Sequence, residues 1–539
     1  MQIKPVQLHN QSQFITDYRN QHASVMKYFD YSPNENFTTR VNDLKERNFN
    51  REQLTNVLHT VNRQWDAPES TMRNIDRLKQ EKSVVVIGGQ QAGLLTGPMY
   101  TINKIISIIQ LAKQQEAALQ IPVIPVFWIA GEDHDFAEMN HIFLSEPPKI
   151  HKYKLPQQVL DKSSVSHIEI DETESKRWVD QLFEQLKETQ YTKDLYQTIL
   201  RCLEKSTTYT DFFARVIFQL YQEEGLVLID SAHPEVRRME SSHFLQMIEN
   251  QPAISAGVYD ASLQIKQDGY TISLDVEEQD AHLFYHVNNE RVLLTKNQQG
   301  DWVGKQNQVR LTTGELVDIA RKNPESLSNN VVTRPLMQEL LFPTLAFIGG
   351  PGEISYWSVL KPAFHILNMN MPPVVPRLSF TYIERNIEKA LDRYQISVEQ
   401  AINEGVTEKK TDWLTAKSNP SIKKVAEDVK STIEEAHQPL RDIARSLGAD
   451  LGDLADKNLF YLNRDVDYLQ DRLIKVLEQK YAKELYEFDL INNTLHPEGG
   501  LQERIWNPLP WINEYGTDFI KYITSQSCSF DRNHYLIYI

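Results

Sequence analysis

The chain is 539 residues long, too long for one ordinary core, and at roughly 100–200 residues per domain it should form two to four structural units. Apolar residues at 41% and charged residues at 24% exclude wholesale disorder. Acidic residues outnumber basic ones, 73 to 57, for a formal charge of −16; duplex affinity rests on Lys and Arg neutralising phosphates, so this balance opposes a nucleic-acid partner.

Residues 1 to about 80 are polar and mostly helical in pattern, and MQIKPVQLHNQSQF lacks the basic, apolar and small-residue order of a signal peptide. Val84, Val85, Val86 and Ile87 follow as an uninterrupted β-branched run, the mark of a strand covered on both faces. After a loop with glycines at 88, 89, 93 and 97, Ile102, Ile105, Ile106 and Ile109 give the stripe of a helix packed on a sheet. PVIPVFWIAG supplies a second strand and runs into EDHDFAEMNH. Strand, glycine loop, helix and strand make a βαβ unit, which implies a parallel sheet with ligands at the carboxyl ends of its strands. The apolar stretch IPVIPVFWIAG is about half the length needed to cross a bilayer. Cys202 and Cys528 are the only cysteines, too few for a disulfide scaffold or a multi-cysteine zinc site. The expectation is a cytoplasmic protein without a membrane partner.

Residues 150 to about 220 are charged and helix-like, and GLVLIDSAHP gives another strand followed by a polar loop. From Tyr270 the pattern alternates, through YTISLDV, HLFYHVNNERVLL, GDWVG and QVRL, with a hairpin turn expected at Asn288-Asn289. Parallel-sheet character returns in LFPTLAFIGGPGEISYW and PPVVPRLSFT. The fold class is therefore α/β, with inserted regions at about 150–220 and 235–325 interrupting a core that extends over 1–380. Three series with near-heptad spacing then span 381–485, beginning at Ile383, Ile422 and Leu459, and predict an antiparallel coiled-coil arm. An ordinary helical bundle is the alternative. Pro439 is expected to kink the middle helix, and Gly448 with Gly452 to mark its turn. The seam invites a second copy, hence a homodimer, and residues 486–539 are expected to pack back on the core.

Four groups of residues could carry chemistry. In GGQQAGLLTG, Gly89, Gln90, Gln91, Gly93 and Gly97 precede a helix whose free N–H groups would favour an anion, and Lys104 lies two turns on. The loop matches neither a dinucleotide fingerprint nor a P-loop, so a structural turn and a ligand loop both stay open. Glu132, Asp133, His134 and Asp135 stand together at a strand end, able to orient an ammonium or to move a proton. No metal-ligand spacing accompanies them. In the third group, Gly350 and Glu353 begin a helix, Arg334 or Arg377 could grip a carboxylate, and Tyr356 could stack on a ring or fill the core. The tail motif LHPEGGLQERIWNPLPW offers His496, Glu498, Gly499, Glu503, Arg504 and Trp506 as either a capped turn or a nucleotide pocket.

Taken together, GGQQAGLLTGPMYTINK, PVFWIAGEDHDFAEMNH, LFPTLAFIGGPGEISYW and PPVVPRLS resemble the bacillithiol biosynthesis cysteine-adding enzyme family, BshC, in order and across essentially the whole chain. That resemblance implies a Rossmann-like core with connecting-peptide insertions and a coiled-coil dimerisation domain. It implies a ligase that joins L-cysteine to the amino group of glucosaminyl malate; since a free carboxylate must be activated to form an amide, ATP or another acyl activator is the expected cosubstrate, with no tightly bound cofactor expected. Carried onto this sequence, it points to Gln90, Gln91, Gly93, Asp133, His134, Gly350, Glu353 and Arg377. Asp133, His134, Gln91 and Arg377 are then the catalytic candidates; the remaining residues of the first three groups would bind substrate. The core also resembles class I aminoacyl-tRNA synthetases, but no HIGH-type element or KMSKS-type loop is present. A metal-dependent hydrolase and a nucleotide-binding Rossmann enzyme of another class are the rival readings.

Overall fold

The computed structural model describes all residues except 36, 160–162, 288, 289 and 307; the expected turn at Asn288-Asn289 lies outside the described residues. Its centre is a five-stranded parallel sheet of β1 (Val84–Gln90), β2 (Val123–Ile129), β3 (Val227–Asp230), β4 (Thr344–Gly349) and β5 (Val374–Pro376), in the spatial order β3-β2-β1-β4-β5. The β-branched runs form these strands because both faces are covered: every residue of β2, β3 and β4 is buried. Helix α1 (Met99–Leu119) carries the expected stripe, and Ile102, Ile105, Ile106 and Ile109 are each 0% exposed. Strand order reverses between β1 and β4, and that switch point is where an open α/β sheet forms its ligand crevice.

Between β3 and β4 the chain makes a long excursion. It begins with α2 (Pro234–Gln267) and continues into an antiparallel sheet ordered Arg310–Leu311, Trp302–Gly304, Glu290–Lys296, Asp280–Val287 and Leu327–Asn329. YTISLDV, expected as part of this sheet, is not a strand. Its alternation has another cause: Ile272 and Val276 are buried against the core, so one side of an irregular segment is apolar without any strand pairing.

The mostly helical N-terminal region opens with a strand, Gln2–Val6, that pairs antiparallel with His534–Tyr538, which in turn runs parallel to Phe380–Ile383. Both ends of the chain thus meet the start of the helical region. There, Ile387, Leu391 and Ile402 close on Phe488, Ile491 and Leu495 as a separate small core. The first near-heptad series therefore builds a base and does not enter the arm. After α3 (Pro351–Trp357), treated below, the arm itself is α4 (Ile422–Leu447) and α5 (Ala449–Lys480), turned at Gly448 and laced by Lys430 to Asp467 at 2.7 Å and Arg445 to Asp456 at 3.0 Å. Pro439 sits inside α4 without ending it. Gly452 is not in the turn but in α5, where a Cβ would meet Arg445 Cγ at 2.9 Å. Among the described residues no helix is long and apolar enough to cross a membrane.

Candidate active site at the carboxyl ends of the parallel strands

The glycine loop begins inside the sheet. Gly89 is paired with Trp128, and a Cβ there would stand 2.6 Å from the Trp128 carbonyl oxygen, so no side chain fits. Beyond Gln91 the loop folds back on itself: a Cβ on Gly93 would lie 2.6 Å from Gly97 Cα, and Gly97 has φ +71. Leu95 and Thr96 are also left-handed, a conformation that persists where surroundings enforce it. The enforcing group comes from the tail, for Asn507 Nδ2 donates to the carbonyls of Leu95 at 2.9 Å and Gly97 at 2.8 Å. The Met99 N–H, first in α1, donates to the Trp506 carbonyl at 2.8 Å. Of the two readings left open for this loop, a structural turn and a ligand loop, the tail contact bears on the second by taking the leading donor of the helix start.

At the switch point stands Lys104, 1% exposed. Its ammonium donates to Gly89 O at 2.7 Å, Gln90 Oε1 at 3.0 Å and Glu353 Oε2 at 2.5 Å, which satisfies all three of its N–H groups. Burial lowers its pKa, with Glu353 opposing that shift and the nearby Arg377 and Arg334 adding to it. The same Glu353 oxygen accepts the Gly350 N–H at 2.8 Å, closing the first turn of α3. Lys104 and Glu353 thus bridge β1 and β4 across the crevice where a dinucleotide enzyme would seat its pyrophosphate.

The EDHD residues diverge. Glu132 is 4% exposed and accepts from Arg237, which also reaches Glu240 at 2.8 Å. Burial raises the Glu240 carboxyl to about 7, though Arg237 opposes the shift. Asp135 caps the short helix Phe136–Met139 by accepting the Glu138 N–H. Asp133 Oδ2 accepts from Gln91 Nε2 at 2.5 Å, and that amide also reaches Glu138 at 3.2 Å. Asp133 Oδ1 accepts the His134 N–H at 2.7 Å and lies 3.7 Å from the His134 ring Nδ1. Gln91, Asp133 and His134 therefore form one half-exposed unit, while Glu132 and Asp135 serve structural pairings. Among the described residues no three His, Cys, Asp or Glu side chains converge as metal ligands.

Arg377 is 8% exposed and paired bidentately with Glu503, at 2.7 and 2.5 Å. Burial alone would raise the Glu503 carboxyl; Arg377, with Asn103 donating at 2.6 Å, instead holds it down at about 2. Arg334 donates to the Tyr356 hydroxyl and to Gln338 at 3.0 Å, while Trp357 stacks on Phe347 in the core. Of the residues considered as a tail pocket, Glu503 belongs to this main site, and Trp506 is buried with Nε1 on the Asn493 carbonyl. His496 donates to the Ile402 carbonyl at 2.7 Å, whereas Glu498, Gly499 and Arg504 are exposed. The structure does not gather these six into one cavity.

A cleft of about 400 Å³ opens beside Asp133, with Glu132 and Arg334 on the sheet side and Arg291, Asp280 and Asn329 on the inserted sheet. Sequence reasoning missed the inserted sheet's contribution, because its alternating strands were read only as an insertion interrupting the core. It also missed Asn103, Arg237 and Asn507, each of which acts on a candidate residue more than a hundred positions away.

Fold and site together define a Rossmann-like α/β protein whose strand-end cleft is roofed by an inserted sheet and whose chain continues into a helical arm. Residues 1–378 match the bacillithiol biosynthesis BshC N-terminal Rossmann-like domain, and residues 380–539 match the BshC C-terminal coiled-coil domain. The chain belongs to the BshC family. It is 45% identical over 543 residues to a protein of Oceanobacillus iheyensis, and 40% identical over 539 residues to one of Bacillus licheniformis. Each match covers 100% of both chains, and each relative carries the name "Putative cysteine ligase BshC".

Proposed function

We propose that this protein is a ligase that joins the carboxyl carbon of L-cysteine to the amino nitrogen of glucosaminyl malate, forming the amide of bacillithiol. The observation that carries this reading is the full-length relatedness, through both domains, to proteins named as cysteine ligases. A free carboxylate does not acylate an amine, so ATP or another acyl activator is the cosubstrate. The attacking amine must lose a proton, and Asp133 with His134 forms an accessible acceptor whose carboxylate is oriented by Gln91. Arg334, which lines the cleft, offers positive charge where negative charge develops on the acyl oxygen. Arg377 acts by fixing Glu503. Lys104 and Glu353 hold β1 and β4 at a set separation. The exposed seam of the arm fits a second copy, making the enzyme a homodimer.

The test is mass spectrometry of purified protein incubated with glucosaminyl malate and cysteine, with and without ATP and magnesium. Condensed thiol in the ATP arm is the expected result. No product in either arm from folded protein, even with added cell extract as a source of activator, would overturn the reading.

A further inference from the structure

The cleft under the inserted sheet contains buried polar atoms that have no hydrogen-bond partner among the described residues. Asn329 ends the strand Leu327–Asn329 and is 1% exposed, yet neither its Oδ1 nor its Nδ2 is hydrogen-bonded among the described residues. Asp280 is 7% exposed; its Oδ2 accepts the Glu277 N–H at 3.0 Å, while Oδ1 has no hydrogen bond among the described residues and is paired only at long range with the half-exposed Lys305 Nζ, 3.9 Å away. His282 is 2% exposed and its Nε2 likewise has no hydrogen-bond partner among the described residues.

The proton on His282 can be placed. Asn330 Oδ1 accepts the N–H groups of Val332 at 2.8 Å and Thr333 at 3.1 Å, so its Nδ2 is the atom 3.2 Å from His282 Nδ1. A donor there makes Nδ1 the acceptor and puts the hydrogen on Nε2. Burial lowers the ring's pKa to about 4, so Nε2–H is a neutral donor at pH 7. His282 also has φ +59, a strained backbone at the same spot. Unmet donors and acceptors beside a strained residue give a ligand that enters the cleft hydrogen-bonding groups the described fold has not used.

The lining tells which ligand. Arg291 lies over the Phe284 ring at 3.8 Å, held by Ser328 Oγ at 3.1 Å and the Asn329 carbonyl at 2.6 Å. Arg291, Arg334 and Lys305 face four carboxylates, Glu132, Asp133, Asp275 and Asp280. That near balance suits a zwitterion and opposes a dicarboxylate such as the malate arm. Leu274, Val276, Phe284 and Leu293 form an apolar wall that offers nothing to a ring of hydroxyls.

We infer that this cleft is the α-amino-acid subsite, with Asp280 Oδ1 receiving the ammonium, Asn329 Nδ2 and His282 Nε2–H donating to the carboxylate beside Arg291, and the side chain against the apolar wall. The inference rests on the ligase reading above and assigns cysteine, not glucosaminyl malate, to this side of Asp133.

The experiment is calorimetric titration of the full chain with L-cysteine, with cysteamine, which lacks the carboxylate, and with N-acetyl-L-cysteine, which lacks the ammonium. It is repeated for Asn329→Leu, a change that keeps the number and branching of side-chain heavy atoms while removing both polar atoms, with thermal unfolding as the fold control. L-Cysteine should bind roughly ten-fold or more tightly than either analogue, and N329L should lose roughly ten-fold for cysteine while keeping its affinity for glucosaminyl malate. Equal affinity for all three thiols on the unaltered chain would overturn the inference whether or not N329L folds. Unchanged cysteine binding in folded N329L, while the unaltered chain still makes product, would sink the subsite and leave the ligase reading standing. Loss of glucosaminyl malate binding with cysteine binding retained would assign the cleft to the sugar. Absence of both cysteine binding and product would remove both.

Discussion

Asp133 and His134 illustrate how a candidate becomes a specific expectation once its neighbours are known. Both are partly exposed and neither anchors the core, so His134→Ala or Asp133→Asn should lower turnover by about 10²–10⁴-fold with little change in melting temperature. Parallel losses of activity and melting temperature would reduce the pair to a structural role. Glu503 should behave in the opposite way. Its folded pKa, about 2, lies below the ordinary 4.5, so it contributes stability that is complete above pH 4.5 and is lost as pH falls toward 2. The contribution is on the order of 3 kcal/mol. Glu503→Gln leaves Arg377 buried without its counter-charge and should destabilise the protein by about 3–5 kcal/mol at neutral pH, with a flatter acid dependence. Unfolding titrations from pH 7 to 2.5 on both proteins check this. Residue types were legible in the sequence, but pairings were not. Lys104 and Glu353 stood out as separate candidates, and nothing local shows that they meet across 249 positions.

At the scale of elements, period was the readable signal. The β-branched runs at 84–87 and 123–129 became buried parallel strands because an apolar run needs cover on both faces, which parallel sheets provide. Gln2–Val6 was not readable, since its partner is the far end of the chain. The glycine loop shows why a local motif left two readings open: its order allows a structural turn or an anion cradle, and the groups that engage its polar atoms, Asn507 and the Trp506 carbonyl, are both distant in sequence. Gly89→Ala should cost on the order of 2 kcal/mol, because the new methyl meets backbone, not a movable side chain. Asn507→Leu frees the carbonyls at 95 and 97 and should raise the protease sensitivity of the 91–98 segment before the global melting temperature falls far. Limited proteolysis followed by mass spectrometry separates the two effects.

For the whole molecule, the two-helix arm is the feature in search of a partner. Leu440, Ile443 and Leu447 on α4, with Leu469 and Val476 on α5, are each at least half exposed, more apolar surface than an isolated two-helix arm ordinarily leaves to water. Replacing Leu440, Ile443 and Leu447 together with Ser should convert the proposed dimer to monomer in sedimentation velocity, with the Rossmann-like core still folded by circular dichroism. A wild-type monomer at micromolar concentration would assign the seam to something else.

The meeting of Asn103 and Glu503 across 400 positions bears on how the protein is made. As the chain leaves the ribosome from its N-terminus, all five strands of the central sheet can be present while Arg377 still lacks its carboxylate and the glycine loop its clamp. A nascent or truncated product that ends between residues 383 and 503 carries the whole central sheet around an unfinished cleft, with a bare guanidinium where the mature protein has a neutralised pair. Translation of the last tenth of the chain is thus the step that arms the site, and fragments released early should be inert and prone to capture by chaperones.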